Sequence, residues 1–203
     1  GLLDASAASL VKLGANITTN TTQTFGDAKL IGDVKLVTTN SSVTFNGAIA
    51  SINGQTHDLT LETGSGNITL SGPVGAGPGL ALGELEVTSA GATEFKGSVS
   101  ANSVIVKGAG TLTLDGGSVA TTADQTYLQS VTLGSSTKLS ARDVSVAGLN
   151  LGSASLEVEV TGALSQIAGA VVGAGGVVKS GAGTLTLAGN NSYSGSTTVK
   201  AGV

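Results

Sequence analysis

Cysteine and methionine are both absent from the 203 residues, and histidine occurs once. Without thiols, disulfides and thiolate–metal sites are excluded. With one imidazole, a strong transition-metal centre lacks its usual ligands. The missing initiating Met is what a mature or excised segment would show. Aromatic residues are 2% and charged residues 11% of the chain, against about a quarter charged in an average domain. The nine Lys and Arg are spread singly from Lys12 to Lys200. No basic patch therefore forms, and the expected partners include no nucleic acid. No signal peptide or long apolar helix is apparent. The nearest approach to a membrane span, residues 162–178, carries five glycines. That much glycine destabilises a helix, so the segment reads as tight strand coils, with no stable membrane insertion.

Glycine is abundant, at 32 residues, with Thr, Ser, Ala, Val and Leu making up most of the rest. Low charge signals disorder only when hydropathy is also low, and here mean hydropathy is positive. The apolar residues are small and often β-branched, which favours strands.

These residues repeat. V-T-F-N-G-A-I at positions 43–49 returns as I-T-L-S-G-P-V at 68–74 and T-E-F-K-G-S-V at 93–99, so Gly47, Gly72 and Gly97 fall 25 residues apart. L-T-L-D-G-G-S-V follows at 112–119, with Gly116 in the equivalent place. A second series, at Val34, Leu59, Leu85 and Val104, advances by 25, 26 and 19 residues, nearly in step with the first. Gln23-Thr24-Phe25 matches Gln125-Thr126-Tyr127, and Gly108–Leu114 matches Gly181–Leu187.

Alternation gives these triplets a physical meaning, because side chains along a strand face opposite ways. Val43, Ile68, Thr93 and Leu112 make one inward column; Phe45, Leu70, Phe95 and Leu114 make another. Thr44, Thr69, Glu94 and Thr113 face out. One strand of three to five residues cannot bury an apolar face alone. Coils stacked about 4.8 Å apart can. The pattern predicts an all-β fold, a right-handed parallel β-helix with three short sheets and rungs of 19–26 residues. Roughly eight to ten rungs give a rod on the order of 40–50 Å long. Residues 1–203 read as one continuous segment.

The stretch 180–203, with its G-x-L-T-L-x-G-x-N-x-Y-x-G-x-T-x-V-x-x-G pattern, resembles the passenger repeat of autotransporters. The region 18–139 resembles the degenerate repeats of filamentous haemagglutinin-like proteins. That likeness rests on Thr44–Gly47, Gly116–Val119, Gln125–Tyr127 and Val131–Leu133. The resemblance implies export through an outer-membrane β-barrel transporter, fused or encoded as a partner. It also implies a secreted or surface location on a Gram-negative bacterium. The rod would then present adhesive surfaces to a host or neighbouring cell, through protein or glycan. The bare ends, Gly1-Leu2-Leu3 and Val203, read as those of a fragment of a much longer protein, or of copies associating end to end in an extracellular fibre.

The sequence offers little chemistry. A serine triad needs His57 as base, but Asn53–Asp58 reads as a polar turn with His57 in an exposed loop. Adjacent Asp58 points away from it along a strand. Glu84 with Glu86, and Glu157 with Glu159, face one side in pairs, and β-helices do host polysaccharide-cleaving enzymes. Short loops and sparse basic partners favour a solvated outer face instead. Asp27, Asp33, Asp115 and Asp124 match no calcium loop. Gly64–Gly66 and Gly108–Gly110 lack the helix and Lys of a phosphate loop, and read as turns, as do Asn46-Gly47 and Asn53-Gly54. Five glycosylation sequons, at Asn16, Asn20, Asn40, Asn67 and Asn190, are near chance in this composition. No catalytic, cofactor or metal residue is expected, and the chain reads as a structural and adhesive rod rather than an enzyme. A polysaccharide-processing site would need a cleft of converging carboxylates. A flat-faced binding solenoid would need an unbroken Thr column, which Glu94 interrupts.

Overall fold

The computed structural model describes residues 1–52 and 54–203; the expected turn residue Asn53 lies outside them. No helix occurs among the described residues, and none is long and apolar enough to cross a membrane. Strands coil into a parallel β-solenoid of about ten turns. Every strand pairing runs parallel, between one turn and the next.

Each turn contributes to three sheets. The first stacks Leu3–Ala5, Gln23–Phe25, Val43–Phe45, Ile68–Leu70, Ala92–Phe95, Thr111–Leu114 and then residues 131–133. The second runs from Val11–Leu13 through Ala28–Leu30 and Ile49–Ser51 to Thr137–Ala141, Leu156–Val160, Val177–Ser180 and Thr197–Val199. The third begins at Ile17–Thr19, Val34–Thr38 and Leu59–Glu62 and reaches Leu185–Leu187. Several strands are longer than the expected three to five residues. Val99–Lys107 spans nine because it bends round a corner without a break, pairing through residues 99–101 in sheet two and 104–106 in sheet three.

Val43, Ile68, Thr93 and Leu112 are in direct register, as are Phe45, Leu70, Phe95 and Leu114, and all eight are buried. Phe25 extends the second column, with its ring stacked on Phe45 at a centroid distance of 4.8 Å. Each such side chain withdrawn from water contributes roughly 1.5–3 kcal/mol. These columns join one hydrophobic cluster that runs from Leu13 to Val177. Thr93 takes a Val-shaped place there, and its hydroxyl has no partner.

Corners are set by close approach. Gly47, Gly72, Gly97 and Gly116 stack, and a Cβ on any of the last three would strike the carbonyl of the one before. Other corners use side-chain oxygens that accept from a backbone N–H one turn on. Asn16 takes Lys35 at 2.8 Å, Asn40 takes Ser65 at 3.0 Å, and Asn67 takes Ala92 at 2.9 Å. These staples satisfy amides that the ladder leaves unpaired where the chain turns.

Candidate functional site

The side of the rod is broken between sheets two and three. Turns three and four are the long ones, and their extra residues gather where sheet two gives way to sheet three. Residues 54–58 and 75–83 form two stacked arms tied to one another. Gly54 N donates to Gly79 O at 3.2 Å, Ser51 N to Leu80 O at 3.0 Å, and Gly83 N to His57 O at 2.9 Å. Gly75, Gly77 and Gly79 have φ of 66°, 104° and 68°, left-handed backbone that glycine adopts at little cost. Two troughs flank the arms. One has Leu10, Ala28, Ala50, Pro73 and Leu80 in its walls, with Lys29 among them. The other is lined by Thr56, Leu82, Asn102 and Thr122.

His57 lies in the lower arm, and its placement corrects the expectation of an exposed loop. The side chain is only 16% exposed. Its Nδ1 lies 3.6 Å from Asp33 Oδ1 and its Nε2 3.1 Å from Gln55 Oε1. Asp33, in the turn before, and Gln55 lie against the ring, a pairing that a single turn of sequence cannot reveal. Both ring nitrogens thus face side-chain oxygens of Asp33 and Gln55, not a nucleophilic hydroxyl.

The carboxylates are engaged structurally. Asp27 Oδ1 accepts from Ala48 N at 2.8 Å and Asp33 Oδ1 from Asp58 N at 3.0 Å. Asp58 Oδ1 accepts from Glu84 N at 2.7 Å, so these two acidic residues neighbour one another across successive turns. Glu86 pairs with Lys107 at 2.6 Å, and Lys35 with Glu62 at 2.6 Å. Arg142 reaches Asp124 through Nε at 2.9 Å. Lys138 lies 2.8 Å from Glu159 and 3.5 Å from Glu157. A hydrogen bond from Ser180 does most to hold Glu157 below the ordinary glutamate value, and one from Lys138 does the same for Glu159. Groups of three or more metal-ligating side chains are absent among the described residues.

On sheet one the outward column reads Thr24, Thr44, Thr69, Glu94, Thr113, Thr132 in register. Glu94 breaks it and pairs with Lys96 at 3.1 Å.

The inward polar residues missed by reasoning from sequence include three with specific contacts. Gln23 and Gln125 are buried, and they do the same thing on different sheets. Gln23 Nε2 donates to Val37 O at 3.0 Å and Thr19 Oγ1 at 3.2 Å; Gln125 Nε2 donates to Ser140 O at 3.0 Å and Thr121 Oγ1 at 3.4 Å. The shared signal is a Thr four residues ahead of Gln-Thr-aromatic. The third is Lys179, buried in sheet two.

No curated protein and no solved structure matches the chain. Residues 177–203, which contain Lys179 and the stretch that resembles the autotransporter passenger repeat, match the family model described as passenger-associated-transport-repeat.

Proposed function

We propose that the chain is a structural and adhesive rod segment of a secreted, surface-exposed protein of a Gram-negative bacterium, moved out through an outer-membrane transporter. The observation that carries this reading is the passenger-type repeat at 177–203 continuing a parallel β-solenoid of about ten turns. A core of that form gives length and stiffness with few long-range connections. The filamentous haemagglutinin-like triplets between Thr18 and Leu139 support the same reading. The adhesive contact belongs to the paired arms at 54–58 and 75–83 and their flanking troughs, since recognition falls on loops held by a rigid scaffold. The chain has no enzymatic site in this reading: His57 faces Asp33 and Gln55, and the carboxylates named above serve backbone amides, lysines, Arg142 or Ser180.

The test is adhesion of beads coated with the chain to host-type epithelial cells and to bacterial cells. Saturable attachment, competed by free chain and lost when residues 75–81 are shortened to a two-residue turn, supports the reading. Attachment no greater than that of inert coated beads overturns the adhesive part and leaves a spacer. Release of reducing ends from surface polysaccharides would overturn the non-enzymatic part.

A further inference from the structure

Lys179 stands in a column that is otherwise aliphatic. Along sheet two, Val11, Ala28, Ile49, Val74, Val99, Val119, Leu139, Val158, Lys179 and Val199 are in register. Lys179 is 3% exposed. Its ammonium donates to Ser180 O at 2.7 Å, Gly181 O at 2.9 Å and Ala201 O at 3.2 Å. An ammonium has three protons to donate, and three acceptors surround it. Two belong to the corner of turn nine, and the third to the corner of turn ten.

The chain contains its own comparison. The heptapeptide at Gly181–Leu187 also occurs at Gly108–Leu114, and the residue two places before its first glycine is Val106 there and Lys179 here. Val106 is buried and apolar. The same heptapeptide therefore turns a corner of the rod without a cation there, and the lysine does something that an aliphatic side chain does not. Apolar columns accept many coils of similar pattern, and this sequence reuses one heptapeptide on two different sheets. A buried charge is far more demanding, because a wrong coil leaves it without acceptors. On the outer face turns eight, nine and ten are tied as well. Glu157 Oε1 accepts from Ser180 Oγ at 2.8 Å, and its other oxygen lies 3.5 Å from Lys200 Nζ.

We propose that Lys179 is a register lock: its inward ammonium accepts only the coil that brings Ala201 O into place, and so fixes how turn ten docks on turn nine. The proposal concerns the repeat segment itself and stands whether or not the rod is adhesive.

The test is hydrogen exchange of the 203-residue chain with Lys179→Met, which fills the space but carries no charge. The Lys200 amide, which donates to Lys179 O at 2.8 Å, should exchange at least tenfold faster, with turns one to eight unchanged. Exchange equal to the parent's would mean that filled space is enough, and would overturn the lock. Nitrogen-15 spectra of the lysine ammonium groups in the unmodified chain give a second reading that does not depend on the variant folding. One slowly exchanging ammonium, lost only with Lys179, is expected; its absence overturns the proposal.

Discussion

Truncating Phe45 to alanine removes a ring that is fully buried, stacked at 4.8 Å on Phe25 and in register with Leu70. Its neighbours are held in strands above and below, so the void can close only partly. Large-to-small changes of this kind cost about 3–5 kcal/mol, a large share of the 5–15 kcal/mol typical of a folded domain. Thr44→Ala, one residue away, alters a side chain that faces out, and should change stability by no more than about 0.5 kcal/mol. Urea unfolding followed by circular dichroism compares the two variants with the parent. Hydrogen exchange then shows whether the Phe45 loss centres on turns two to four, as near-neighbour coupling requires. Equal effects at positions 44 and 45, or a loss below about 1 kcal/mol for Phe45→Ala, would refute the inward and outward assignment.

Gly97→Ala should lower stability by about 1–3 kcal/mol, because the new methyl meets Gly72 O in the turn before; a thermal melt unchanged from the parent would contradict the glycine stack. Gln125→Leu strips Val119 O and Ser140 O of a donor and should cost about 1–3 kcal/mol, measured by the same urea titration. Glu157 and Glu159 sit below their ordinary value of 4.5. Their contribution is therefore present above that pH and is lost as pH falls through the lowered values. Melting of the parent should drop with acid below about pH 4.5 more steeply than that of the Glu157→Gln, Glu159→Gln double variant. Parallel curves would argue against this clasp.

The two inward columns at 43–45 and 68–70 are legible in the sequence because each strand announces itself locally: apolar, polar, apolar, then glycine. The third sheet is legible for the same reason, through Val34, Leu59, Leu85 and Val104. What stays hidden depends on contacts one turn away, 17 to 26 residues distant. The carboxylate beside the His57 ring comes from Asp33, in the turn before. The burial of Lys179 depends on Ala201 coming round on the next coil. Nothing local marks a lysine between Val178 and Ser180 as inward, since strand alternation allows either face. Gln125 is visible as part of a repeated motif, but its role is not, because the motif sits on a different sheet from its Gln23 counterpart. The arms at 54–58 and 75–83 show in the sequence as a polar turn and as longer spacings between repeats.

The central claim is that each repeat advances the rod by a single strand spacing. Spin labels on cysteines introduced at outward positions test this directly, since the chain has no cysteine of its own. Thr24 and Thr132 are linked in register through Thr44, Thr69, Glu94 and Thr113, and Asn150 follows one step later. At about 4.8 Å per step, the Thr24–Thr132 pair should lie about 24 Å apart and the Thr24–Asn150 pair about 29 Å, backbone to backbone. Electron–electron distance measurements on the two pairs should differ by that one step. Distances that fail to grow from the first pair to the second would contradict the stacked coil.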